Sequence, residues 1–370
     1  MRRRILAALI WFASTCPLAA GVNRWTPSGP PSKVYGLAID PGPEGIVYAG
    51  TPAGVYRSND HGNTWTLVYV NSGGLEGTLS EIAIDLTTTT TLYGSRGGAN
   101  LPNVVKSIDA GRTWFASNTG IPPGRFLRIA VDPTNASTLY GGGDWGVFKS
   151  ADAGSTWSLV SQGVHWVTAL AIDPTDSRRV YAASSNGPVF ATLDAGATWG
   201  LLLQGSGHPM VDVAVDPSDP SKIYAAAYCC ATIWKTFNLG ESWEQLRLPS
   251  SQIEDVLIAP SDSRTLYAAA HSGPLPPIIP PFPGSVLRSV DEGNTWTAFD
   301  VGIEFRSIRR LAADSTGRFL IAVSFSVDGT FVYEIQAPAD VPTLSGTGFL
   351  VFAILLGGLG LLTICRNTIS

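Results

Sequence analysis

Ser58-Asn59-Asp60-His61-Gly62-Asn63-Thr64-Trp65 is a phrase that this chain repeats. The pattern Ser/Thr-x-Asp/Asn-x-Gly-x-Thr/Ser-Trp returns at Ser107–Trp114, Ser150–Trp157, Thr192–Trp199, Thr236–Trp243 and Ser289–Trp296. The spacing is about 42–53 residues, the period of a supersecondary unit that cannot bury its apolar face alone. Each copy lies between β-forming runs such as Val55-Tyr56-Arg57 and Trp65-Thr66-Leu67-Val68, so it reads as a hairpin turn. Gly62 and its equivalents supply the positive φ that a tight turn requires. Asp60 and Ser58 can fold back onto the turn's own N–H groups, and Trp65 is large enough to fill the seam with a neighbouring unit.

A second phrase keeps step with the first. It is Leu37-Ala-Ile-Asp40-Pro41, with counterparts beginning at Ile82, Ile129, Leu170, Val213, Val256 and Leu311. Each is followed by a short polar turn and another apolar strand, such as Ile46-Val-Tyr48-Ala. Every unit then reads as four strands, and the chain as an all-β, seven-bladed β-propeller. The seventh unit lacks its outer strand after Phe331-Val332-Tyr333. Val22-Asn23-Arg24-Trp25-Thr26 carries the Trp-Thr of the box exits, and is predicted to pair with residues 331–335 and close the ring.

The repeated phrase resembles the Asp-box, or BNR, repeat of sialidases, xyloglucanases, sortilin-type receptors and photosystem II assembly-factor propellers. The resemblance implies a propeller in which Asp60, Asp109, Asp152, Asp194, Asn238 and Asp291 are scaffold, dispersed over separate blades and unable to converge on one bond. Sialidase similarity would imply an arginine cluster, a tyrosine nucleophile and a carboxylic acid, but no Arg-Ile/Leu-Pro phrase opens the first blade. Xyloglucanase similarity would imply carboxylates facing each other across two propellers, where this chain has one. The assembly-factor family matches in blade number and size; its members bind partner proteins through arginines and are not catalytic.

The net charge of −5 and pI near 5.4 leave no basic stripe for phosphates, so no nucleic-acid partner is expected. Four cysteines are too few for a disulfide framework. Residues 1–21, from Met1-Arg-Arg-Arg4 through an apolar run to Leu18-Ala19-Ala20-Gly21, read as a signal peptide, with an uncleaved anchor as the alternative. Residues 22–337 are the propeller, 338–345 a linker, 346–366 a transmembrane helix and 367–370 a cytoplasmic tail. Val341-Pro342-Thr343-Leu344-Ser345, an apolar helix and then Arg366 is similar to C-terminal sorting signals handled by exosortase-type systems. The chain is thus expected to be exported and held at the membrane with its propeller outside.

In propellers the Asp-Pro turns and the boxes share one face, and variable loops form the other. Binding residues are expected there: Arg96, Arg125, Arg128, Asp144, Trp145, His165, Trp166, His208, Asp212, Glu254, Asp255, His271, Arg306 and Arg309. Seven of the inner-strand positions, Gly36, Glu81, Arg128, Ala169, Asp212, Asp255 and Arg310, form a mixed-charge ring at the channel rim. Trp145 and Trp166 suit stacking on a sugar ring or peptide, with packed loop anchors as the alternative. His165, His208 and His271 lie on separate loops, so no metal is expected, nor any other cofactor. The proline-rich loop His271–Gly284 is either a stiff flap or an incidental insertion. Cys229-Cys230 is either a vicinal disulfide or a pair of buried thiols. The expected ligand is a protein or a glycan; a glycoside hydrolase is the alternative.

Overall fold

In the computed structural model, the described residues are 25–42, 44–71, 78–96, 104–124, 126–205, 207–250, 252–271, 286–303, 308–324 and 332–336. The leader, the linker, the C-terminal apolar segment and tail, Arg125, Arg306, the side chain of His271 and the loop after it lie outside them. Among the described residues no helix is long and apolar enough to cross a membrane.

Seven four-stranded antiparallel sheets account for the described chain. Sheet 1 runs Gly36–Ile39, Val47–Thr51, Gly54–Ser58, Thr66–Val70, in that order from inside to outside. The innermost strands of sheets 2 to 7 are Leu79–Ile84, Phe126–Val131, Val167–Ile172, Met210–Val215, Gln252–Ala259 and Ile308–Ala313. Each innermost strand neighbours the next, and that of sheet 7 neighbours that of sheet 1.

The second strands, such as Val47–Thr51 and Val180–Ser184, are buried at every position because both their faces pack on other sheets. This is why they read as continuous apolar runs rather than alternating ones. The core lies in the seams. Tyr48 and Val55 of sheet 1 meet Ile82, Leu92 and Val105 of sheet 2, and Ile321 and Val323 of sheet 7 meet Val47 and Ala49 of sheet 1. Each buried aliphatic side chain contributes roughly 1.5–3 kcal/mol.

The boxes explain their own residue types. Ser150 Oγ donates to Asp152 Oδ1 (2.8 Å) and accepts the N–H of Gly154 (2.9 Å). Asp152 also accepts the Thr156 N–H (2.8 Å) and hydroxyl (2.6 Å), and these bonds hold its carboxyl down to about 2. In the fifth box Asn238 Oδ1 accepts the same way from Ser242 N–H (3.0 Å), while its amide donates to the Ser242 hydroxyl (2.9 Å). The residue before each glycine is also left-handed, although none is glycine: His61, Ala110, Ala153, Ala195, Leu239 and Glu292 have φ of 55–59°.

That left-handed residue ties the structure in two directions. Ala153 N–H donates to Ser137 O (2.9 Å) in the Asp-Pro turn of its own sheet, which puts boxes and Asp-Pro turns on one face. Its carbonyl accepts from Tyr93 Oη (3.1 Å) and Lys106 Nζ (2.9 Å) of the preceding sheet. Ala195 is bound by Tyr140 and Lys149 in the same way. Ser150→Ala strands the buried Gly154 N–H, so it is expected to cost about 1–2 kcal/mol in urea denaturation. An unmoved midpoint would contradict the structural role of the box.

Thr26–Pro27 pairs with Val332–Gln336 on the outer edge of sheet 7, with Thr26 opposite Glu334 and Pro27 opposite Tyr333. Trp25, 1% exposed, donates its indole N–H to Phe299 O (2.6 Å) and its backbone N–H to Val301 O (2.8 Å). Trp157 makes the same two contacts with Ser117 and Thr119 of sheet 2. Trp25 thus does the work of a box tryptophan without a box. Trp65 then bonds Ser28 O, linking sheet 1 to that edge.

Candidate functional site

An open mouth of about 260 Å³ is lined by residues from all seven sheets or the segments leading into them. They include Tyr35, Ser80, Thr168, Val211, Glu254 and Arg309, with Arg128 and Arg310 at the next level. A lining drawn from every sheet places this cavity on their common axis, at the start of the inner strands and away from the boxes. In six of the seven sheets the first strand slips register there, at Leu79/Glu81 and its equivalents. A bulge sets two residues against one, so consecutive side chains such as Ser80 and Glu81 can both serve the channel. Alternation alone hides this, and Tyr35, Ser80, Thr168 and Val211 escaped the sequence reading.

The deeper ring is more tightly paired than a rim of solvated charges. Glu81 Oε2 accepts from Arg128 Nη1 at 2.8 Å and from Arg310 Nη2 at 3.1 Å. Arg310 reaches it from sheet 7 because the intervening ring residue is Gly36, where a Cβ would lie 3.1 Å from the Glu81 backbone. Burial pushes the Glu81 carboxyl up to about 7, with Arg128 opposing and Asp212 adding to the rise. On the far side Asp212 Oδ2 accepts Val256 N–H (3.1 Å), and Asp255 Oδ2 accepts Leu311 N–H (2.6 Å). Each carboxyl caps an inner-strand amide of the next sheet. Burial, with the Asp212 charge beside it, pushes the Asp255 carboxyl well above the carboxylate range.

Other expected rim residues scatter. Arg96 is a correction: it is 1% exposed, packed beside Tyr69 in the seam between sheets 1 and 2, where burial lowers its guanidinium pKa. It ends a strand whose every residue is buried, so it cannot reach the mouth. Arg309 is exposed and Glu254 half-buried at the mouth. His208 Nε2 lies 3.8 Å from Cys230 Sγ. Cys229 and Cys230 are free thiols, and Cys230 is exposed, so neither expected state of the pair is seen.

Trp145 and Trp166 form a second feature. They are 53% and 49% exposed, on loops linked by Trp166 N–H to Asp144 O (3.3 Å). The Trp145 indole is fixed to Pro123 O (3.0 Å) and covers Gly124. Trp166 holds φ at +56°, an unusual conformation for a bulky residue, and thereby keeps its ring in solvent.

The chain resembles propellers of two kinds. A xyloglucanase of Hypocrea jecorina is 32% identical over 164 residues, covering 39% of this chain and 19% of that protein. The GH74 xyloglucanase of Xanthomonas campestris superposes with a TM-score of 0.66 at 18% identity, over 84% of this chain and 53% of that one. YCF48 from Cyanidioschyzon merolae superposes with a TM-score of 0.63 at 13% identity, over 86% of this chain and 100% of that one. YCF48 bound to D1 peptide gives 0.65 at 14% identity, over 86% of this chain and 97% of that one. The chain therefore spans about half the length of the GH74 structure and a fifth of the curated xyloglucanase, and the whole of YCF48. No family model matches it. At these identities the superpositions establish a β-propeller fold.

Proposed function

We propose that this chain is a closed seven-bladed propeller, exported and held at a membrane by its C-terminal apolar segment, whose variable face binds a protein or glycan without chemistry of its own. The observation that carries the binding reading is how the channel carboxyls are spent. Glycoside hydrolysis needs two carboxyls about 5–10 Å apart with room between them for a sugar or a water. Here Glu81 is clamped by two arginines, and Asp212 and Asp255 each accept a backbone amide of the next sheet. By contrast, Trp145, its indole bonded to Pro123 O, and Trp166 are open to solvent, as a stacking surface should be. YCF48 bound to D1 peptide is a precedent for a peptide on this scaffold. The match to a xyloglucanase favours a second reading, a glycoside hydrolase.

Purified protein applied to glycan and peptide arrays, with chromogenic glycosides assayed in parallel, separates the two. Binding without turnover is expected, and Trp145→Ala should weaken it about tenfold, the worth of one good ring contact. Turnover abolished by Glu254→Gln would establish the hydrolase instead.

A further inference from the structure

Two guanidinium groups converge on a single carboxylate oxygen at the floor of the mouth. Arg128 gives Glu81 one N–H and Arg310 gives it one, yet each group carries five in a rigid fork. Among the described residues no other hydrogen bond from either guanidinium is present, and both side chains line the open cavity, at 16% and 24% exposure. An oxyanion held side-on by a fork takes two parallel N–H bonds, a stronger arrangement than the single bonds to Glu81. The forks are thus held in place by Glu81 but not used up by it.

The surrounding charges set what else can enter. Glu81 faces Arg128 in the neighbouring sheet, Arg310 beyond Gly36, and Asp212 and Asp255 across the channel. Above it stand Tyr35, Glu254 and Arg309. Burial and the neighbouring Asp212 charge favour the neutral form of Asp255, so the two aspartates together bring close to a single negative charge. Two arginines against that charge and ionised Glu81 leave the floor neutral. A bound anion would leave it with an excess negative charge that a buried site does not tolerate. Neutral Glu81 restores the balance.

We propose that the channel mouth binds a small organic monocarboxylate through Arg128 and Arg310, and that Glu81 takes up one proton from solvent as the ligand carboxylate replaces it. A volume of about 260 Å³ admits one ring-sized acid or a chain end rather than a longer ligand. Protonating Glu81 costs little near neutrality, since burial already holds its carboxyl near 7. The proposal does not depend on what binds at Trp145 and Trp166, and its failure would leave that reading intact.

The test is calorimetric titration of the full chain with D-glucuronate and, separately, with a tripeptide bearing a free C-terminal carboxylate. D-glucose and the C-terminally amidated peptide are the neutral controls. One or both carboxylates should bind, which tells an acidic sugar from a chain end. Affinity should fall up to about tenfold between pH 7 and 8, and buffers of different ionisation enthalpy should report uptake of close to one proton. Glu81→Gln should bind at pH 8 as tightly as the unaltered chain does at pH 6, with no proton uptake, and Arg310→Gln should lose binding about a hundredfold. Any one of three results would overturn the proposal: no carboxylate binding with ligand at about 10 mM, well above the ~1 mM of a weak site; equal binding of the neutral controls; or affinity independent of pH in the unaltered chain. None of these three readouts needs a variant to fold.

Discussion

Trp25→Ala is expected to cost about 3–5 kcal/mol, the range for deleting a fully buried aromatic side chain. Trp25 is 1% exposed, stands edge-on to Phe299 with ring centroids 6.3 Å apart, and packs with Ile308, Leu311 and Leu320 of sheet 7. Its indole and backbone N–H groups both bond the exit strand of sheet 6. The two-residue strand that follows has little hold of its own, so the tryptophan is its main fastening. Loss of that fastening also exposes the edge of Val332–Gln336, which is an invitation to aggregate. Trp166→Ala provides the contrast, since that ring is half in solvent, and it should change stability by no more than about 0.5 kcal/mol. Urea midpoints of the two variants measured side by side decide the matter. Equal midpoints would mean that the N-terminal segment does not fasten sheet 7.

The contrast also shows what the sequence can and cannot carry. Trp25 was legible because Trp-Thr recurs at box exits, and a repeated residue has a repeated contact. The bonds that Ser58 and Asp60 accept from the turn's N–H groups were legible for the same reason. The left-handed residue before each glycine was not, because histidine, alanine, leucine and glutamate share no property that announces it. At the channel, the ring positions could be read from their place beside each apolar pair, but their pairing could not. Arg310 meets Glu81 only because Gly36 leaves the intervening position empty, which is a relation between three distant strands. Arg96 misled because it follows a polar serine at the end of a strand, while the seam beyond the strand end, with Tyr69 in it, is deeper than its sequence suggests.

Asp255→Asn is expected to stabilise the protein at neutral pH and to flatten its pH dependence. In the unfolded chain this carboxyl releases its proton near pH 4 (~3.9), whereas in the fold burial and Asp212 hold the proton to well above that. Between those limits the native state binds more protons than the unfolded one, so stability is full at the acid end and is lost as pH rises. Glu81, with its carboxyl near 7, contributes with the same sign from the ordinary glutamate range upward. The box carboxyls act oppositely: those of Asp152, Asp194 and Asp291 are held down to about 2 by hydroxyl and backbone bonds, so their contribution is present at neutral pH and lost on acidification. The substituted side chain imitates the neutral acid, and its amide oxygen still accepts from Leu311 N–H. The gain should be largest at pH 8 and should vanish toward pH 4. Urea denaturation of both proteins from pH 4 to 8 measures it. Parallel curves would show that Asp255 is not held in its neutral form, and would take away the charge balance that confines the mouth to a single anion.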